Sequence, residues 1–145
     1  MKEKILVSAC LLGVGCRYDG LSKPNSAVIS LARDYELVPF CPEIYGGLPT
    51  PRIPSEIVGE RVLMKDGTDV TEQYKRGAME ALRLCRLLGI NKACLKAKSP
   101  SCGVGLVYDG SFSGRLVEGD GVTSLLLKEE SILVFTEDRI DILKD

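Results

Sequence analysis

Apolar residues recur along this chain in short runs parted by helical stretches and by loops rich in glycine and proline. Lys4-Ile5-Leu6-Val7 begins the pattern as a run of β-formers, which predicts a buried strand over residues 4–10. Asn25 or Ser26 can cap a helix over Ala27-Val28-Ile29-Ser30-Leu31-Ala32, and residues 36–40 read as a second strand. Residues 41–54 hold four prolines and the pair Gly46-Gly47, so an ordered but irregular loop is expected there, as part of a pocket wall. Ile57-Val58, Gly59-Glu60 and Arg61-Val62-Leu63-Met64 read as a hairpin closing at Asp66-Gly67. Asp69 and Glu72 form a capping-box pattern, after which Tyr74, Ala78, Ala81, Leu82, Cys85 and Leu88 fall at helical spacing until Gly89. Residues 92–96 predict a third strand, residues 107–110 with 115–117 a second hairpin or a loop, residues 122–129 a helix, residues 131–135 a fourth strand and residues 137–143 a short helix. Strands alternating with helices imply one α/β domain over residues 1–145, a three-layer sandwich with a mainly parallel sheet of Rossmann or flavodoxin-like type.

Three of these strands hand a cysteine to the loop that follows. The first runs into Ser8-Ala9-Cys10-Leu11-Leu12-Gly13-Val14-Gly15-Cys16-Arg17-Tyr18-Asp19-Gly20, the second into Cys41-Pro42-Glu43, and the third into Ser99-Pro100-Ser101-Cys102-Gly103. In a parallel sheet such loops share one edge, so the site is expected at the C-terminal ends of the strands.

Composition narrows the chemistry. Nineteen basic against twenty acidic residues give a net charge of −1, which leaves no footprint for general nucleic-acid binding. There is no histidine, so the usual general base and imidazole metal sites are excluded. No apolar run reaches membrane-spanning length. Leu6-Val7-Ser8-Ala9-Cys10 imitates a lipoprotein cleavage box, but only four residues separate Lys4 from Ala9, too few for an apolar signal core. A reducing cytoplasm is therefore expected, where six cysteines serve as ligands or reactive thiols rather than disulfides.

Cys85 lies on the apolar face of the strongest helix and Cys94 inside a buried strand, which makes both packing residues. Cys10, Cys16, Cys41 and Cys102 sit in loops beside Gly, Pro or Ser and ionisable neighbours. Three chemistries compete for them. A structural Cys-four zinc would normally draw on two closely spaced pairs, and only Cys10 and Cys16 are near each other. A thiol nucleophile is the second: Cys10-x6-Arg17 is one residue longer than the phosphate-cradling loop of tyrosine phosphatases and arsenate reductases. The third is an iron–sulfur cluster, whose thiolate ligands can come from several converging loops. With three thiolates, one iron is left open to act as a Lewis acid on a substrate sulfur, whereas four would make a closed, non-catalytic centre.

Taken together, Val7-Ser8-Ala9-Cys10-Leu11-Leu12-Gly13, Cys16-Arg17-Tyr18-Asp19-Gly20, Cys41-Pro42-Glu43, Gly46-Gly47-Leu48-Pro49-Thr50-Pro51-Arg52, Asp66-Gly67-x-Asp69-Val70-Thr71 and Ser99-Pro100-Ser101-Cys102-Gly103 resemble one family over nearly the whole chain. It is the group of small proteins long catalogued as a domain of unknown function, some of which are thiouracil desulfidases. The resemblance implies a 4Fe-4S cluster held by three cysteines and non-redox removal of sulfur from a thiolated uracil, base or nucleotide, leaving uracil and sulfide. It also makes Glu43 and Ser101 catalytic. Cys10 and Cys102 are the expected ligands, with the third drawn from Cys16 and Cys41. For the substrate, Tyr18 can stack on a pyrimidine, Asp19 can accept from a ring N–H, Arg52, Lys96 or Lys98 can meet a phosphate, and Arg17 is a further candidate contact. Two other readings stay open beside this one: a non-catalytic iron–sulfur or metal-binding module, and a cysteine-nucleophile phosphatase or arsenate reductase.

Overall fold

The computed structural model describes residues 2–144. In chain order its elements are β1 (Glu3–Ser8), α1 (Ser26–Ser30), β2 (Tyr35–Phe40), α2 (Pro42–Tyr45), β3 (Ser55–Val58), β4 (Arg61–Met64), α3 (Thr71–Leu88), β5 (Lys92–Leu95), β6 (Leu106–Tyr108), β7 (Leu116–Glu118), α4 (Val122–Glu129) and β8 (Leu133–Thr136). Turns of 3₁₀ helix cover Ala9–Leu12, Leu31–Arg33 and Glu137–Leu143. Four strands form one parallel sheet in the order β2-β1-β5-β8. The chain winds from β1 to β2 on one side and then returns to β5 on the other. That reversal opens a crevice at the carboxyl ends of β1 and β5, the position where flavodoxin-like sheets place their ligands.

The strand period of two sorts the core into two layers. Leu6 of β1, Ala93 and Leu95 of β5 and Val134 of β8 face α3 and α4, packing with Ala81, Leu82, Cys85 and Leu127. Ile5, Val7, Cys94 and Phe135 point the other way, toward Val28 of α1, the opening 3₁₀ turn and Ile140 of the last one. The expected three-layer α/β sandwich is therefore present. The hairpins β3–β4 and β6–β7 stand outside the sheet and wall the cavity described below.

A close backbone approach fixes the short α2. A Cβ on Gly77 of α3 would lie 2.0 Å from the carbonyl oxygen of Pro42, and one on Gly46 would lie 2.0 Å from that of Gln73. Only glycine at both positions lets α2 rest directly on α3. That contact carries Glu43, which sits in the single turn of α2.

Several elements differ from the sequence expectation. β1 ends at Ser8 rather than near Cys10, because the chain tightens into the 3₁₀ turn Ala9–Leu12. The loop over residues 41–54 contains α2, started by Pro42, whose fixed φ suits a first helical position. α1 is capped by Asn25, whose Oδ1 accepts from the Val28 amide at 3.0 Å, but it turns into 3₁₀ at Leu31. Asp69 accepts from the amide and hydroxyl of Thr71, an Asx turn ahead of α3 rather than the capping box suggested by Glu72. Leu88, at the end of α3, is partly exposed.

Candidate active site

One cavity of about 600 Å³ opens at the C-terminal ends of the sheet strands. Cys10, Cys16, Cys41 and Cys102 all line it, together with Glu43 and Ser101. All six cysteines are free thiols. Cys41 Sγ donates to the Cys16 carbonyl at 3.8 Å, and the influence of the Cys10 thiol, followed by burial, raises the pKa of Cys16. The thiol of Cys41 is raised by its bond to Cys16 and by burial. Cys102 is 4% exposed, and burial pushes it up to about 12 even though two hydroxyls pull in the opposite direction. Those hydroxyls are Ser8, which donates to Sγ at 3.2 Å, and Ser101, which donates at 3.6 Å. Ser8 Oγ also accepts from the Lys96 amide at 2.9 Å, bridging the ends of β1 and β5 just where their ladder stops.

Cys85 and Cys94 are core residues, 1% and 0% exposed, as the sequence reading has them. Burial raises them to about 11 and about 12 respectively, so both stay protonated at neutral pH.

Glu43 is the hub of the polar side of the cavity. Its Oε2 accepts from Ser101 Oγ at 3.0 Å, and its Oε1 accepts from Arg52 Nε at 2.9 Å. The side chain of Arg52 is only 3% exposed, and four of its five N–H groups are bonded. Nη2 donates to the Cys16 carbonyl at 2.9 Å, while Nη1 donates to the Pro49 carbonyl at 3.1 Å and to Thr50 Oγ1 at 3.0 Å. Arg52 is therefore a tie between the Glu43 carboxylate and the cysteine loop, not a free phosphate ligand. Behind Ser101 stands Ser99, with hydroxyl oxygens 3.0 Å apart. Ser99 Oγ accepts from the amides of Ser101 and Cys102, both at 3.1 Å, and so shapes the turn that presents them. α4 closes this turn from outside: the Thr123 amide donates to the Ser101 carbonyl at 2.9 Å and Ser124 Oγ to the Cys102 carbonyl at 2.7 Å.

The predicted substrate residues fare unequally. Arg17, Tyr18 and Lys98 line the cavity. The Arg17 guanidinium stands 5.8 Å from the Tyr18 ring centroid and 4.0 Å from Asp19. Asp19 is not on the cavity wall; its Oδ1 accepts from the Leu21 amide at 3.0 Å and holds its own loop. Lys96 pairs with Glu137 at 2.9 Å and is likewise engaged. Sequence reasoning passed over Ser8, Ser99 and Tyr74. Tyr74 reads as a core position of α3, and it is buried, but it also lines the cavity; burial, then the charge of Glu43, raises its pKa. A tyrosine at an apolar helical position keeps a polar end that needs a partner, which is the signal available for it.

This donor set suits the group implied by the sequence. Among the described residues, no three Cys, Asp or Glu side chains converge as they would around a single metal ion. Four thiols lining one cavity fit a 4Fe-4S cluster, which takes one thiolate per iron. The model of the 2-thiouracil desulfurase family matches residues 5–139. The chain belongs to that family. The thiols, Glu43 and Ser101 all fall within the matched span. The chain is 39% identical over 147 residues to the uncharacterized protein YbbK of Bacillus subtilis (strain 168), covering 94% of this chain and 97% of that one. Among solved structures it is similar to TudS, a [4Fe-4S]-dependent thiouracil desulfidase. That match has a TM-score of 0.93 and 49% identity, and covers 98% of this chain and 95% of the other.

Proposed function

We propose that this chain, acting as a single domain in the cytoplasm, is a 4Fe-4S-dependent desulfidase that hydrolyses the carbon–sulfur bond of a thiolated pyrimidine. The observation that carries the reading is the Glu43 carboxylate, bonded through one oxygen to Ser101 and through the other to Arg52, in the cavity that the loop thiols share. Cys10, Cys41 and Cys102, which follow β1, β2 and β5, are the proposed ligands, and Cys16 is the thiol left over. When bound, the cluster supplies an iron without a protein ligand, a Lewis acid for the sulfur of the substrate.

The remaining work falls to the side chains. Glu43 takes a proton from the attacking water, and Arg52 keeps the carboxylate aimed and its charge balanced. Ser101 Oγ holds that water or hands a proton toward the reacting group, with Ser99 behind it to relay the hydrogen bond. The overall change, thiocarbonyl and water to carbonyl and hydrogen sulfide, needs no electron donor. Lys98 and Arg17 at the mouth would meet the phosphate if the substrate is a nucleotide.

The test is iron, acid-labile sulfide and sulfide release on protein purified without oxygen. Wild type should hold about four of each per chain and release sulfide from 2- or 4-thiouracil or the corresponding nucleotide. Glu43→Gln and Ser101→Ala should keep the iron and release no sulfide. Alanine at Cys10, Cys41 or Cys102 should lose the cluster, whereas Cys16→Ala should keep it. Undiminished turnover in both Glu43→Gln and Ser101→Ala would remove these residues from the chemistry.

A further inference from the structure

The β6–β7 hairpin carries a feature that neither the core nor the chemistry explains. Its connecting loop brings Phe112, and the end of β6 brings Tyr108, to the wall of the active cavity. Phe112 has a φ of +58°, in the left-handed region that a bulky residue rarely adopts. It belongs to none of the three apolar clusters of the molecule, so packing into a core does not account for it. The strained backbone is instead held from outside the loop. Glu56 Oε1 accepts from the Phe112 amide at 3.1 Å and from the Gly110 amide at 2.9 Å. The loop also lies directly on β3, since a Cβ at Gly110 would fall 2.7 Å from the Ile57 carbonyl oxygen. Asp109 fastens the other flank by accepting from the amide of Ser111 at 2.9 Å.

A carboxylate spent on two loop amides fixes an aromatic ring against the cavity in a conformation that costs free energy. Strain of this kind persists where the surroundings enforce it, and it clusters where a ligand must be met. A flat pyrimidine ring is the ligand that a fixed aromatic face receives best, because stacking rewards any planar base regardless of its substituents. We infer that Phe112 is a specificity-determining residue that stacks on the pyrimidine ring, and that Glu56 is a positioning residue that acts through it. The inference rests on the desulfidase reading and adds to it the way the ring is held. It also makes the ring, not an attached sugar or phosphate, the common element of accepted substrates.

The test uses the cluster-loaded enzyme, with thiouracil turnover and with uracil as a competitive ligand, on variants whose circular dichroism matches wild type. Phe112→Ala should raise both KM and the inhibition constant of uracil about 5- to 150-fold, which at 1.4 kcal/mol per tenfold is about 1–3 kcal/mol. Its kcat should change much less, and Phe112→Tyr should recover the loss. Glu56→Ala should weaken binding in the same way and Glu56→Gln, which keeps the acceptor, should not. In the double variant Phe112→Ala/Glu56→Ala the second change should add nothing. Wild-type KM and uracil inhibition in Phe112→Ala would overturn the inference while the desulfidase reading stood. If wild type releases no sulfide, uracil binding by calorimetry decides: binding that Phe112→Ala abolishes supports the ring platform, and equal binding or none overturns it.

Discussion

Burial pushes Cys94 and Cys102 up to about 12 alike, but only Cys102 receives hydroxyl donors. One thiol is kept neutral by its surroundings; the other has hydroxyl donors around it that would welcome a thiolate, the form that the proposed ligation to iron requires. The core thiol makes a clean prediction for stability. Its folded pKa lies above the unfolded value of 9.0, so its contribution is complete below pH 9 and is lost as the pH climbs toward 12. Cys94→Ala should be less stable than wild type at pH 8, from the lost packing. The gap between their urea midpoints should then narrow above pH 9, and a gap that stays constant to pH 11 would contradict the assignment. Two neighbouring residues show how spacing alone falls short. Cys-Pro-Glu marked Glu43 as chemical, but nothing near Arg52 in the chain shows that its guanidinium would reach back nine residues to that carboxylate. The pairing exists only because the irregular segment between them doubles over.

At the scale of elements, the active carboxylate depends on two helices touching at backbone distance. Gly77→Ala would drive a methyl group into the Pro42 carbonyl, an overpacking cost of about 1–3 kcal/mol, and would push α2 off α3. We expect a lower Tm together with a lower kcat for sulfide release, and a reduced iron content as well, since the proposed ligand Cys41 directly precedes the displaced Pro42. A variant with a lowered Tm but full kcat would show that Glu43 does not depend on this contact. The strands, α3 and α4 were legible from periodicity, because burial on both faces of a parallel sheet leaves dense apolar runs and α3 has a strong apolar face. The single turn of α2 was not. A helix of four residues has no period to read, and the prolines that suggested an irregular loop include the one that starts it. Likewise the reason for Gly46 and Gly77 lies in what approaches them from another element, which no local pattern records.

Across the whole molecule, near-neutral net charge conceals a lopsided mouth. Lys23, Lys65 and Lys98 all border the cavity, and none forms an ion pair among the described residues. Added salt should therefore raise KM for a thiolated nucleotide and leave KM for the free base nearly unchanged, since surface charges are screened beyond about 8 Å at physiological ionic strength. Equal salt dependence for the two would place the phosphate away from these lysines. The α/β class and the meeting of the cysteine loops were legible because parallel strands deliver their following loops to one edge; the walls from β3–β4 and β6–β7 were not, since the placement of hairpins outside a sheet is a tertiary decision. Finally, the clamp of α4 on Ser101 and Cys102 has a consequence for biosynthesis. Three of the four loop thiols are translated within the first third of the chain, but the turn bearing the fourth is held by amides and a hydroxyl from residues 123 and 124. A nascent chain shorter than that lacks the brace for its last thiol, so the cavity with its four thiols is complete only in a nearly finished polypeptide.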